Sequence, residues 1–372
     1  MVSYAITGAS RGIGFAFAKH LAQDPSNTVF ALVRNLTSSQ PLTDLASSHK
    51  NVHILQGDVT SPTQLSAAAE SVSKITGGSL DVLIENAALL LGEASSFKLT
   101  DLVGDEEKTK VFGNDLHLNI EGNVMSIIHT TNAFLPLIKK GEIKKILVLS
   151  SGLGDSESIV EWEWKDNVPY CASKAALNML VASYSTTLVE EGIMIVAISP
   201  GLVKTLTADW APQFYEGVTK IFQKSNPSFE GPLSPEDSVS MMLETVGKLT
   251  VKDTGKFLSH HGDKEWTCMV KSENKKYVLN LLHFPLSPPR AKTVQVSAPL
   301  SSQKYVPKPK AKTKAKPQPS PVQAGHASLR LSNEAEGKPI IFVFIIFFVI
   351  ILRLQQLRYL QRTETADEFD GR

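Results

Sequence analysis

Thr7-Gly8-Ala9-Ser10-Arg11-Gly12-Ile13-Gly14 decides how this chain folds. Residues 2–6 ahead of it form a short apolar run, and residues 12–24 behind it bring Ile13, Ala16, Phe17 and Leu21 round at helical spacing. Between a strand and a helix the three glycines have separate uses. Gly8 permits a tight turn, Gly12 lets the backbone approach a phosphate, and Gly14 lets helix and sheet pack closely. The helix N-terminus then offers unpaired N–H groups and a positive dipole end to a pyrophosphate. A glycine triplet alone is weak; the strand before it and the helix after it distinguish a dinucleotide-binding turn from a merely structural one.

Outward from this turn the same alternation repeats. Residues 28–33, 52–55, 80–84, 143–149 and 193–198 are β-branched and apolar with little alternation, which suits strands covered on both faces. Residues 62–75, 116–137 and 171–190 read as helices between them, and 257–259 as a last strand. Successive β-α-β units with right-handed crossovers make a parallel sheet with helices on both faces. The expectation is an α/β fold, a single doubly wound domain over residues 1–266.

Composition narrows the function classes. With 42% hydrophobic and 20% charged residues, 372 residues can bury a sizeable core, and a wholly disordered chain is excluded. The formal net charge of +1 conceals opposed parts. From Arg290 to Lys338 ten Lys/Arg stand against two acids, a local +8, and from Pro339 to Arg372 four basic and four acidic residues cancel. Residues 1–289 therefore carry −7. Such an acidic body argues against nucleic acid as a partner, since a face that binds it should itself be positive. Lys304, Lys308, Lys310, Lys312, Lys314 and Lys316 lie among Pro307, Pro309, Pro317, Pro319 and Pro321. Without apolar anchors, residues 267–338 are expected to be a mostly disordered basic linker, either a solvated spacer or a contact for an anionic surface. Residues 339–372 begin with thirteen consecutive apolar residues, Ile340 to Leu352, and end in a polar tail. A spanning helix needs about 20 such residues, so a membrane tail anchor and a docked helix both stay open. Two cysteines, Cys171 and Cys268, make neither a disulfide framework nor a metal-ligand spacing, and no metal is expected. The N-terminus lacks a charged region followed by a long apolar stretch. A reducing, cytoplasmic setting is the expectation, membrane-associated only if residues 340–352 anchor the chain.

Charge indicates which dinucleotide. NAD-binding folds place an acid at the end of the second strand to hold the ribose 2′-hydroxyl. Here Phe30-Ala31-Leu32-Val33-Arg34-Asn35 offers none. Arg34 and Arg11 together can grip a 2′-phosphate, and guanidinium forks suit phosphate oxygens. NADP is therefore favoured over NAD. Further along, Tyr170-Cys171-Ala172-Ser173-Lys174 opens a helix, and its four-residue spacing puts Tyr170 and Lys174 on one face. A phenol with a pKa of about 10 is a poor proton shuttle at neutral pH, and a neighbouring ammonium is expected to lower that value.

These motifs in this order resemble the short-chain dehydrogenase/reductase superfamily over roughly residues 1–266, and with it a single Rossmann-type sheet. More narrowly the chain is similar to carbonyl reductases and to ketoreductases of fungal polyketide toxin pathways, which share the opening Thr7 to Gly14 and Val33-Arg34-Asn35. The resemblance implies that Tyr170 is the acid/base, and that Lys174 binds the nicotinamide ribose and lowers the phenol's pKa. Ser151 would hydrogen-bond the substrate oxygen, and Asn119 would hold a water relaying protons to Lys174. It also implies that Gly8, Ser10, Arg11, Gly12, Ile13 and Gly14 line the phosphates, with Arg34 at the 2′ position. Asp58 and Val59 would contact adenine, and Asn86 and Ala87 would lie beside the adenosine ribose. Pro200, Gly201, Val203 and Thr205 would fix the carboxamide. Dimers or tetramers through helices flanking the sheet are common in the family, so a homo-oligomer is an implied arrangement.

Two features depart from the family pattern. Ala88 stands where a glycine is usual after Asn86-Ala87, which is tolerable if its φ stays negative. Eighteen residues separate Ser151 from Tyr170, more than is typical, so Ser150, Ser156 and Ser158 compete with Ser151. Ser151 is favoured because a strand end is a rigid mount and the extra residues can loop out. Leu153, Ile159, Val160, Trp162 and Trp164 in that stretch, with Trp210 and Phe214 later, suggest an apolar or aromatic substrate; plain packing or a dimer contact explains them equally. His260 and His261 read as an exposed pair without partners, and Cys171 as a small buried hydrophobe. The function expected is NADPH-dependent reduction of a ketone or aldehyde to an alcohol. NAD-dependent alcohol oxidation and a non-catalytic NADP-binding redox sensor are the alternatives.

Overall fold

The computed structural model describes residues 1–267 except 38 and 91; the expected linker and the 340–352 stretch lie outside the described residues. Seven strands, β1 (Ser3–Thr7), β2 (Thr28–Val33), β3 (Val52–Gln56), β4 (Val82–Glu85), β5 (Lys145–Leu149), β6 (Met194–Ser199) and β7 (Phe257–Ser259), form one sheet. Its order is β3-β2-β1-β4-β5-β6-β7 and every pairing is parallel. The strand order turns back between β1 and β4, and crevices for ligands open there, beyond the carboxyl ends of the strands.

The helices are α1 (Gly12–Ala22), α2 (Gln40–Ser48), α3 (Pro62–Thr76), α4 (Glu106–Ile120), α5 (Ser126–Ile138), α6 (Ser156–Glu161), α7 (Val168–Leu188), α8 (Ala211–Ser225) and α9 (Pro235–Lys248). Alternate strand residues serve opposite faces. Tyr4, Ile6, Val29, Ala31 and Val196 join Phe17 and Leu21 of α1 and Met242 and Val246 of α9 in one core. Ala5, Phe30, Leu32, Val148 and Ala197 join Leu65 of α3, Phe134 of α5 and Leu177 and Val181 of α7 in the other. The fold is the expected Rossmann-type α/β sandwich. Among the described residues no helix is long and apolar enough to cross a membrane.

Several element boundaries differ from the sequence expectation for identifiable reasons. β4 begins at Val82 rather than residue 80, because Asp81 is a tie-point. Its amide donates to Ser3 Oγ (3.0 Å), its Oδ2 accepts from Ser3 N and Oγ, and its Oδ1 accepts from Glu142 N (3.0 Å). β5 begins at Lys145 rather than 143, because Lys144 has a left-handed φ of 55°. The helix expected over 116–137 starts ten residues earlier, at Glu106, where Asp105 Oδ1 accepts from Lys108 N (2.9 Å) as an N-cap. It runs through a π-helical segment, Glu121–Met125, into α5. The start was hidden because the buried residues of α4 are polar, Asp115 and Asn119, so no apolar stripe marks it.

Candidate active site

The glycine turn connects β1 to α1 at the carboxyl edge of the sheet. Gly8 and Gly12 have φ of +66° and +58°, a region in which side chains are strained. Gly14 lies where a Cβ would run into the Gly8 carbonyl oxygen and the Asn86 amide. Arg11, the N-cap of α1, makes no side-chain capping bond, so the first-turn amides face the crevice without a protein cap. Neighbouring strand ends brace the turn. Thr7 Oγ1 accepts from the amides of Asn86 (3.0 Å) and Ala87 (3.1 Å), and Asn86 Nδ2 donates to the carbonyls of Thr7 (2.9 Å) and Gly8 (3.2 Å). Asn86 thus braces the glycine turn itself. Ala88 has no positive φ, so the methyl in place of the usual glycine brings no strain. A bare turn of this shape, with unblocked helix amides, fits a dinucleotide pyrophosphate.

Beyond β2 and β3 the same edge carries exposed side chains. Arg11 and Arg34 are exposed at the ends of β1 and β2, within the same edge. Asp58 follows β3 and turns its carboxylate back on Thr60 N (3.0 Å) and Thr60 Oγ1 (2.8 Å), which fixes the bend carrying Val59. Ser39 donates to the Ser10 carbonyl (2.6 Å) and caps α2, tying the two loops together.

On the other side of the turn, β5 ends in Ser150 and Ser151. Ser150 Oγ donates to Asn178 Oδ1 (2.6 Å), which commits it to α7. Ser151 caps a short 3-10 turn, Gly152–Gly154, and its hydroxyl lies in hydrogen-bonding contact with Tyr170. Ser156 and Ser158 sit in α6, off the lining of the cavity described below. The extra residues do loop out, as that 3-10 turn and α6, and return through Asn167 to α7.

α7 buries Tyr170 and Lys174 side by side, with Lys174 only 1% exposed. Lys174 Nζ is 5.7 Å from the Tyr170 ring centroid and donates to the Leu149 carbonyl (2.8 Å). Burial pushes the Tyr170 phenol up to about 12, against a smaller lowering by Ser151, and pulls Lys174 down to about 7. The expected lowering of the phenol by its lysine is thus overturned in this site. Desolvation penalises the phenolate more than the amine, itself half discharged near neutral pH, favours it. Asn119, 1% exposed, donates to Asp115 O (2.9 Å) and accepts from Asn123 Nδ2 (3.2 Å). Asn123, in the π segment, also donates to Ser173 Oγ (2.9 Å), which donates to Tyr170 O (2.7 Å). Asn119 therefore reaches the Tyr170–Lys174 turn through Asn123 and Ser173.

A cavity of about 180 Å³ joins these parts. Its lining includes Ile13 of the glycine turn, Ser150, Ser151 and Tyr170, and Pro200, Gly201, Val203 and Thr205 after β6. The remainder is largely apolar: Leu90, Leu153, Trp162, Trp164, Leu202, Phe214, Phe222 and Trp266 among others. Trp210, one of the aromatics that suggested an apolar substrate, is 48% exposed and packs edge-on against Phe214 outside the lining. Gly201 has φ of +80°, and His260 fills the space that a Cβ there would need. His260 is only 2% exposed, which corrects the expectation of an exposed pair; burial, then its neighbour His261, pulls its pKa down to about 4, so the ring is neutral. Cys171 lies 3.9 Å from Asp166 O, and burial raises its thiol to about 12. A larger recess of about 620 Å³ lies between α8 and the segments around 204–208 and 230–232, without Ser151 or Tyr170. No group of three or more His, Cys, Asp or Glu is placed to hold a metal among the described residues.

Sequence reasoning passed over Asn123, Asn178, Tyr215 and Trp266. Asn123 and Asn178 stand four residues beyond Asn119 and Lys174, a signal that was available. Tyr215 Oη serves Thr205 N (2.8 Å), Leu206 N (3.0 Å) and Val203 O (3.0 Å), holding the loop after β6.

Residues 3–213 match the family model for short chain dehydrogenase. A short-chain dehydrogenase/reductase of Arthrinium sp. is 42% identical over 269 residues, covering 72% of this chain and 100% of the relative. One from Aspergillus aculeatus is 42% identical over 275 residues with the same coverages. An NADPH-bound carbonyl reductase from chicken fatty liver is 31% identical with a TM-score of 0.55, covering 70% of this chain and 97% of that one. The glycine turn, the switch-point crevice and these similarities agree: the chain belongs to the short-chain dehydrogenase family, as an oxidoreductase.

Proposed function

We propose that this protein is an NADPH-dependent reductase that converts an apolar or aromatic ketone or aldehyde into an alcohol. One observation carries the reading: a single cavity is lined by the glycine turn at Ile13, by Ser151 and Tyr170, and by the loop after β6. A reduced nicotinamide, when bound, supplies the hydride. The chain's residues do the rest. The first turn of α1 holds phosphate, and the Pro200–Thr205 loop holds the carboxamide end. Ser151 and Tyr170 offer two hydroxyls to one carbonyl oxygen. With its pKa raised to about 12, the phenol stays protonated at neutral pH and is poised to give its proton to the oxygen as negative charge develops there. Lys174, 5.7 Å from the ring, stabilises the resulting phenolate as its ammonium, passes it a proton to restore the phenol, and regains one from water at its near-neutral pKa. The Asn119–Asn123–Ser173 bonds hold that turn of α7 in register, and a water held at Asn119 is the proposed carrier of the proton returned to Lys174.

NADP as the nucleotide is supported by exposed Arg11 and Arg34 at the crevice edge and by the lack of an acid after β2. The NADPH-bound carbonyl reductase points the same way. Thermal shift tests it, because a ligand that binds only the native state raises stability. NADPH is expected to raise the melting temperature more than NADH at equal concentration. Arg34→Ala should weaken NADPH binding by about 10- to 100-fold, the worth of a charge-assisted hydrogen bond, and leave NADH unchanged. Equal shifts by both nucleotides in the wild type would remove the NADP assignment.

A further inference from the structure

Gly152, directly after Ser151, is pinched by two indoles. A Cβ there would meet Trp266 Cγ at 3.0 Å and Trp162 Cη2 at 3.1 Å. The two rings come from distant segments, the loop-out before α7 and the stretch after β7, and are 5% and 8% exposed. Each has its own backing. Trp162 lies 4.5 Å from Phe222 of α8, and Trp266 stacks on Phe257 of β7 at 4.4 Å and 23°. The chain beside Trp266 is tied to α8, since Asn226 Nδ2 donates to the Thr267 carbonyl (3.0 Å). Trp162, Trp266 and Phe222 belong to an apolar cluster separate from both sheet-face cores. The cavity they wall, about 180 Å³, is smaller than the roughly 300–1,000 Å³ of ordinary small-molecule sites.

We infer that Trp266, closed against Trp162 over Gly152, is a specificity-determining residue that limits the substrate to a compact ketone with one aromatic ring. The inference rests on the reductase reading above. Flat aromatic walls favour a flat ring by stacking, and indoles backed by Phe222 and Phe257 have little room to swing aside for a larger one. Trp266 packs on Gly152 and Phe257, so its truncation is expected to change room for substrate, with NADPH binding measured alongside as the control.

The test compares kcat/KM for acetophenone and 2-acetylnaphthalene, with NADPH, in the full-length wild type, Trp266→Ala and Trp266→Phe. The wild type is expected to favour the one-ring ketone at least tenfold. Trp266→Ala should shrink or invert that ratio by at least tenfold, mainly through KM for the two-ring ketone, and Trp266→Phe should fall between. An unchanged ratio in Trp266→Ala, with melting temperature and NADPH binding retained, overturns the inference; if the alanine variant does not fold, the phenylalanine variant decides by the same criterion. Binding of the two corresponding alcohols, read by thermal shift, gives the same comparison without turnover. Should the wild type reduce neither ketone yet bind only the one-ring alcohol, with Trp266→Ala admitting both, the reductase reading falls and the size limit stands. Binding of both alcohols by the wild type overturns the size limit.

Discussion

At Lys174 two energies oppose each other. Burial lowers its pKa from 10.5 to about 7, while its ammonium is held by the Leu149 carbonyl. The folded state therefore binds fewer protons than the unfolded state between pH 7 and 10.5, and its stability rises with pH across that window. At 1.36 kcal/mol per pKa unit the cost is on the order of 5 kcal/mol below pH 7 and fades toward pH 10. Lys174→Met removes that cost but leaves Leu149 O unpaired, a loss of about 1–3 kcal/mol. The variant is therefore expected to melt above the wild type at pH 6 and to lose that advantage by pH 10. A difference that stays flat from pH 6 to 10 would refute the discharged lysine. At this scale Tyr170, Lys174 and the three glycines were legible because fixed spacings announce them. Tyr215 was not, since its role lies in bonds to the 203–206 backbone that no local pattern encodes, and the four-residue step from Asn119 marks the place of Asn123 but not its bonds to Leu89 and Ser173.

Among the elements, α1 shows how packing overrules propensity. Alanine is preferred over glycine inside a helix by about 1 kcal/mol. At Gly14, however, the added methyl would overlap the backbone carbonyl of Gly8, which cannot yield without opening the turn. Gly14→Ala is expected to destabilise the protein by about 1–3 kcal/mol in urea unfolding and to weaken nucleotide binding. An equally stable variant with intact binding would show that α1 does not press on the turn as described. The strands were legible because parallel strands covered on both faces read as apolar runs. α4 was half hidden because it buries Asp115 and Asn119. α2 and α8 went unread because each buries only a narrow stripe, such as Ala211, Val218 and Phe222 in α8, and α9 because polar Ser238 and Thr245 interrupt its buried face.

For the whole molecule, both sheet-face cores are built from residues within 1–267. Fungal relatives are spanned end to end by 72% of this chain. A chain ending after residue 270 is therefore expected to keep its melting temperature within a few degrees and its nucleotide affinity within twofold. Loss of either would mean that the basic stretch or the 340–352 stretch contributes to the folded domain. The sheet and its switch point could be read from the order of motifs, whereas the cavity could not. Its walls come from residues 13, 151, 162, 214 and 266, which meet only once the sheet brings their loops to one edge. The proposed reduction depends on proton delivery by Tyr170, which Tyr170→Phe removes while keeping the ring. With NADPH and an aromatic ketone, the variant should lose about 10²- to 10⁴-fold in kcat while binding NADPH as the wild type does. Turnover within a fewfold of the wild type would contradict it.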